Sequence, residues 1–150
     1  MIRAVIFDMF ETLITHYHNK GPLYFGAEMA ADAGIPEERF QSAWRLTEND
    51  RTVGKVTLEQ VLRQILEENQ CYSEEILNKI VKKRIATKEE CFVHIHQEII
   101  PMLKELKKLG VFVGLISNCF SEEAEVIRRS ELFKYFDEVY LSYEQGIKKP

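Results

Sequence analysis

The spacing of apolar positions changes period twice along this chain. Residues 2–7 alternate weakly and then become continuously apolar through Ala4-Val5-Ile6-Phe7, the pattern of a parallel strand buried on both faces. From residue 22 to about residue 90 the spacing is helical throughout. Residues 22–33 carry Leu23, Phe25, Ala27, Met29 and Ala30, and stop at Gly34, a residue suited to the position after a helix. A second helix opens at Pro36, sets Glu37 and Glu38 at the positive end of its dipole, and runs through Phe40, Ala43 and Trp44. Arg51-Thr52-Val53-Gly54-Lys55 predicts a break. Thr57-Leu58-Glu59-Gln60 has capping-box spacing and starts a helix with Leu58, Val61, Leu62, Ile65 and Leu66 on one face. Another helix, from Ser73, places Ile76, Leu77, Ile80 and Val81 on its inner stripe.

The pattern then turns over. Residues 97–109 are amphipathic, with Lys104, Lys107 and Lys108 toward the C-terminal end and Gly110 closing the helix. Val111 to Ile116 is a second apolar strand, ending in Ser117-Asn118. Ser121 is placed to cap a helix running to about Ser130, with Glu122 and Glu123 in its first turn. Residues 138–142 read as a third strand. The order is strand, helical block, helix, strand, helix, strand. It predicts an α/β fold: a doubly wound parallel sheet core with three strands and an all-helical insertion after the first.

Composition narrows the class. The 150 residues suit one domain core, and 45% hydrophobic with 29% charged residues fits a soluble globular protein. A net charge of -4 gives no reason to expect a nucleic-acid or membrane partner, and no apolar run is long enough to span a bilayer. Met1-Ile2-Arg3 leads straight into a strand without a signal-peptide h-region. Cys71, Cys91 and Cys119 are odd in number and widely spaced, so reduced thiols and a cytoplasmic location are expected.

In a parallel sheet the three strand ends share one edge, where open α/β folds carry their chemistry. The first strand ends in Asp8, with Thr12 just beyond. The second ends in Ser117-Asn118, and the third precedes a loop bearing Lys148 and Lys149. Asp8 is a candidate nucleophile forming an acyl intermediate that water then breaks. Ser117 and nearby backbone N–H groups are candidate donors to a transferred anionic group, and a lysine would hold that anion and offset the charge of Asp8.

These residues resemble the motifs of the haloacid dehalogenase (HAD) superfamily. Asp8-Met9-Phe10-Glu11-Thr12-Leu13 is similar to its first motif, D-x-D-G-T-L. Leu115-Ile116-Ser117-Asn118 is similar to the second, and Lys149-Pro150 to the third. The helical block resembles the cap inserted between the first two motifs. The resemblance assigns 1–15 and 92–150 to the α/β core and 16–91 to the helical cap. It implies a hydrolase with Asp8 and Lys149 catalytic and with Thr12, Ser117 and Asn118 binding the substrate. It also implies Mg²⁺ held by Asp8 and the backbone carbonyl of Phe10. The implied partner is a small-molecule substrate, with a phosphorylated metabolite as the first reading.

Two departures bear on function. The second aspartate of the family's phosphatases, which protonates the leaving group and activates water, is Phe10 here. Glu11 is adjacent but is expected to point elsewhere from the turn. The dehalogenase branch also carries an aromatic at this position, and halide leaves without a proton, so metal-independent 2-haloacid dehalogenation is the alternative. Second, the family continues beyond its third motif to a further strand and a G-D-x-x-x-D acidic motif, whereas these residues end at Pro150. A third reading is therefore an inactive piece that needs a missing C-terminal half. The resemblance would then leave the first strand as an exposed sheet edge, open to self-association.

Other residues have bland readings that are preferred. His94 and His96 near Cys91 offer poor metal geometry. His16, Tyr17 and His18 read as surface loop, with the border of a substrate entrance as the alternative. Tyr24, Phe40 and Trp44 read as cap core. Arg45 and Arg51 read as solvated, with an anionic substrate as the alternative. Cys119 is expected near the site and not activated.

Overall fold

The computed structural model describes residues 1–16 and 23–150. Tyr17, His18 and Pro22, read above as loop and helix start, lie outside the described residues. Three strands, β1 (Ala4–Phe7), β2 (Phe112–Ser117) and β3 (Glu138–Leu141), form one parallel sheet in the order β1-β2-β3. Phe7 pairs with Leu115, and Ser117 with Leu141, so the three ends stop near one edge.

One face of the sheet carries the core. Val113, Leu115 and Leu141 are fully buried with Leu103 of α6 (Ile99–Lys108) and Ile127 of α7 (Ser121–Arg129). The other face departs from the expectation of two-sided burial. Ile6 and Tyr140 are 62% and 45% exposed there, with Phe112 beside them, because no described element packs over it. β1 has β2 as its one partner among the described residues.

Between β1 and β2 the helices α1 (Gly26–Ala33), α2 (Glu37–Leu46), α3 (Glu48–Thr52), α4 (Leu58–Glu68) and α5 (Glu74–Cys91) surround a second apolar cluster. Met29, Phe40, Leu62, Leu66 and Ile80 are its fully buried members. Local signals account for the ends. Thr57 and Gln60 cap α4 reciprocally, and the Ser73 hydroxyl accepts the Ile76 N–H at 3.1 Å. Gly34 ends α1 in the left-handed region at φ 70°. The first helix opens at Gly26, later than the periodicity predicts. The predicted break at 51–55 begins only at Val53, because Arg51 and Thr52 still belong to α3.

The two clusters meet along a seam that is polar and mostly buried. Arg84 and Lys88 of α5 pair with Glu122 (3.1 Å) and Glu123 (2.8 Å), adjacent residues in the first turn of α7. Ser121 does not cap its own helix. Its hydroxyl accepts the N–H of Leu58 at 3.1 Å, across the seam, while Glu123 accepts the Phe120 N–H that opens α7. The Ser142 hydroxyl, at the start of α8 (Ser142–Gln145), donates to the Thr52 carbonyl at 2.8 Å and accepts the Cys119 N–H at 2.9 Å. Arg51 is 3% exposed, not solvated, with its guanidinium between the rings of Trp44 (3.8 Å) and Phe120 (4.3 Å).

Gly54 closes the seam at φ +74°, where an added Cβ would overlap the Tyr143 carbonyl oxygen. Gly34 has similar φ but open space around it. Gly34→Ala is therefore expected to cost about 1 kcal/mol for left-handed backbone alone. Gly54→Ala should cost roughly 3 kcal/mol, because backbone must also move. Denaturant unfolding of the two variants checks this, and equal losses would contradict the seam packing.

Candidate active site

The first strand ends in a turn drawn tight by one carbonyl. Met9 O accepts the N–H groups of Thr12, Leu13 and Ile14, at 3.3, 2.9 and 3.0 Å. Glu11 takes φ 59° in this turn, a conformation uncommon outside glycine. Asp8 stands just before it. Its Oδ1 accepts the Met9 N–H at 2.8 Å, and its Oδ2 lies 3.1 Å from Lys149 Nζ. Both side chains are about two-fifths exposed, at 42% and 37%.

The second strand end positions that lysine. Lys149 Nζ donates to the Ile116 carbonyl at 2.9 Å. Its backbone N–H donates to Asn118 Oδ1 at 2.8 Å, and its carbonyl accepts from Asn118 Nδ2 at 3.2 Å. Asn118 thus ties down the lysine-bearing segment. Ser117 is 1% exposed, and its Oγ has no hydrogen-bond partner among the described residues. A buried hydroxyl without a partner is costly, and a ligand oxygen would satisfy it. Asp8, Ser117, Asn118 and Lys149 are therefore brought to one edge, as expected. Thr12 is exposed in the turn, and its side chain makes no hydrogen bond to Asp8.

Next to this edge is a cavity of about 290 Å³, lined by Phe10, Asn118, Cys119, Phe120 and Lys148 together with His16, Glu123, Glu48 and Thr52. The last two belong to α3. His16 borders this cavity and does not lie on open surface. Its ring stacks on Phe10 at 4.5 Å, and its two nitrogens face Glu11 (3.1 Å) and Glu123 (3.2 Å). Glu11 turns toward His16 and Thr15, as its place in the turn predicts. The hydrogen bond from the His16 backbone is the largest influence holding its carboxyl below the usual range. Cys119 is buried, and burial pushes its thiol up to about 12, so it is no nucleophile. Among the described residues no cluster of three or more His, Cys, Asp or Glu side chains is placed to hold a metal; His94 and His96 face Glu90 and Glu98 instead.

A carboxylate at one strand end with a cation against it, a buried hydroxyl on the next strand and a helical insertion between those strands define an α/β architecture with its polar groups gathered at one sheet edge. The haloacid dehalogenase-like hydrolase family model matches residues 2–150, and the chain belongs to that family. Solved structures agree on the fold. A HAD family enzyme from Bacteroides thetaiotaomicron, in complex with magnesium and inorganic phosphate, superposes with a TM-score of 0.65 at 18% identity. That match covers 100% of this chain and 73% of the other. A 2-haloacid dehalogenase from Pseudomonas syringae pv. tomato DC3000 gives a TM-score of 0.65 at 23% identity, covering 100% and 68%. A comparison with curated proteins found no match.

Arg51, His16 and Ser142 are the residues that sequence reasoning placed wrongly or missed. The Ser142 bond to Thr52 and the contact of Arg51 with the Phe120 ring span long separations that leave no periodic signal, whereas His16 lies only six residues beyond Phe10.

Glu123 joins the site to the seam. Burial pushes its carboxyl up, but bonds from His16, Lys88 and the Phe120 N–H outweigh this and hold it at about 2, below the ordinary 4.5. A carboxyl depressed on folding stabilises above its unfolded value and loses that stability as pH falls through the folded one. Wild-type stability should fall between pH 4.5 and about 2, with Glu123 contributing about 3 kcal/mol of the loss. Glu123→Gln should be less stable at neutral pH and flatter across that window. An unchanged pH slope in the variant would contradict the assignment.

Proposed function

We propose that the protein is a phosphatase of this family acting on a small phosphorylated metabolite through an Asp8 intermediate. The observation that carries this reading is the Asp8–Lys149 contact at 3.1 Å beside the unpartnered Ser117 hydroxyl. Lys149 offsets charge at the point where a phosphate dianion must approach a carboxylate, and Lys148 lines the same cavity as Lys149 and Ser117.

In the first step an Asp8 oxygen bonds to phosphorus and the ester P–O bond breaks. The leaving oxygen keeps the electron pair and takes a proton from solvent. Ser117 donates to a phosphoryl oxygen, and Lys149 holds the transferring charge. Water then attacks phosphorus and loses a proton, releasing phosphate and restoring the Asp8 carboxylate. The Asp8 carboxylate and the Phe10 carbonyl offer the hard oxygen donors that Mg²⁺ takes alongside substrate phosphate and water, and would hold the ion there. Bound Mg²⁺ supplies neutralisation of phosphoryl charge. The magnesium and phosphate named for the Bacteroides relative support this reading.

Phe10 favours a second reading, metal-independent hydrolysis of a 2-haloacid, in which Asp8 attacks carbon and halide departs without a proton. The Pseudomonas relative is named for that activity.

Asp8→Asn should reduce magnesium-supported turnover of p-nitrophenyl phosphate by at least about 10³-fold with the fold intact by circular dichroism. Equal turnover by the two proteins would remove the mechanism. Chelator-resistant halide release from a short 2-haloacid, with no phosphatase activity, would establish the second reading instead.

A further inference from the structure

The cavity beside Asp8 is lined by several polar side chains, and most are already engaged. Glu123 accepts from Phe120 N–H and meets Lys88 and His16. The Thr52 hydroxyl donates to the Glu48 carbonyl. Asn118 is committed to the backbone of Lys149, and the ring nitrogens of His16 to Glu11 and Glu123. Two charged groups remain whose side chains have no hydrogen bond or ion pair among the described residues: Lys148, adjoining the catalytic edge, and the Glu48 carboxylate, on α3 of the insertion. Arg51 is close enough for Glu48 to act on it electrostatically but forms no ion pair with it, because its guanidinium is held between aromatic rings by Thr47 Oγ and the Trp44 carbonyl.

The available charges on the cavity wall therefore have opposite sign. Lys148 also lines an adjoining cavity together with Lys149 and Ser117, where a phosphate would sit. The rest of a substrate extends toward Glu48. A volume of about 290 Å³ is at the small end for ligand sites and suits a compact molecule. We propose that Glu48 is the specificity-determining residue, and that the substrate is a small phosphate monoester whose alcohol carries an ammonium group. A carboxylate in that position would face Glu48 at close range and be rejected, and a hydroxyl would bind with one neutral hydrogen bond. This rests on the phosphatase reading above.

The test is kcat/KM for three probes of similar size: 2-aminoethyl, 2-hydroxyethyl and carboxymethyl phosphate. Wild type, Glu48→Gln and Glu48→Lys are compared, with p-nitrophenyl phosphate and Asp8→Asn as references. Ratios between probes within one preparation do not depend on the folded fraction. Glu48→Gln should lower the aminoethyl-to-hydroxyethyl ratio about tenfold, the worth of one charge-assisted hydrogen bond. Glu48→Lys should raise the carboxymethyl probe above the aminoethyl one. Ratios unchanged by both variants, with Asp8-dependent turnover present, would overturn the role of Glu48 alone. Absence of Asp8-dependent turnover on every phosphate would overturn the phosphatase reading and this inference with it.

Discussion

Parallel pairing of β2 with both β1 and β3 is the constraint on which the rest depends. The register sets Phe7 beside Leu115 and Ser117 beside Leu141, so the residues that follow each strand emerge at one edge. Asp8 and Lys149 lie 141 positions apart in the chain and still come within 3.1 Å. Antiparallel pairing would send one of those ends to the opposite side of the sheet. The Lys149–Asn118 bonds then convert a shared edge into a defined site, because they fix the lysine to the end of the central strand.

The helical insertion is held to this core by buried charge. Arg84–Glu122 and Lys88–Glu123 are almost wholly withdrawn from water. Such pairs contribute little net stability compared with apolar packing, but removing one partner leaves a buried charge at high cost. They therefore specify how the two clusters sit together. Glu123 also meets His16, which stacks on Phe10. The geometry of the first turn and the attachment of the insertion are thus coupled through one carboxylate.

The strand ends and helix boundaries were legible because they depend on local rules. Apolar runs stop at Asp8 and Ser117, and Thr57, Ser73 and Gly34 mark helix ends by chemistry that acts within four residues. Ser121 shows where such rules fail: its hydroxyl serves a helix 63 positions away, while Glu123 takes the local role. Arg51 read as solvated because surface arginines are the commoner case and it fell in a predicted break, and its burial depends on Phe120 arriving from the core. The exposed sheet face departs from strand composition for a similar reason, since composition records a preference for burial and not which element supplies it.

The central claim is that Asp8 attacks the substrate. Rapid acid quenching during turnover of p-nitrophenyl phosphate, followed by peptide mass spectrometry, measures it most directly. The account predicts a phosphoryl adduct on Asp8 that forms before phosphate release reaches steady state and is cleaved by hydroxylamine. Sustained turnover with the Asp8 peptide unmodified at every quench time would contradict it.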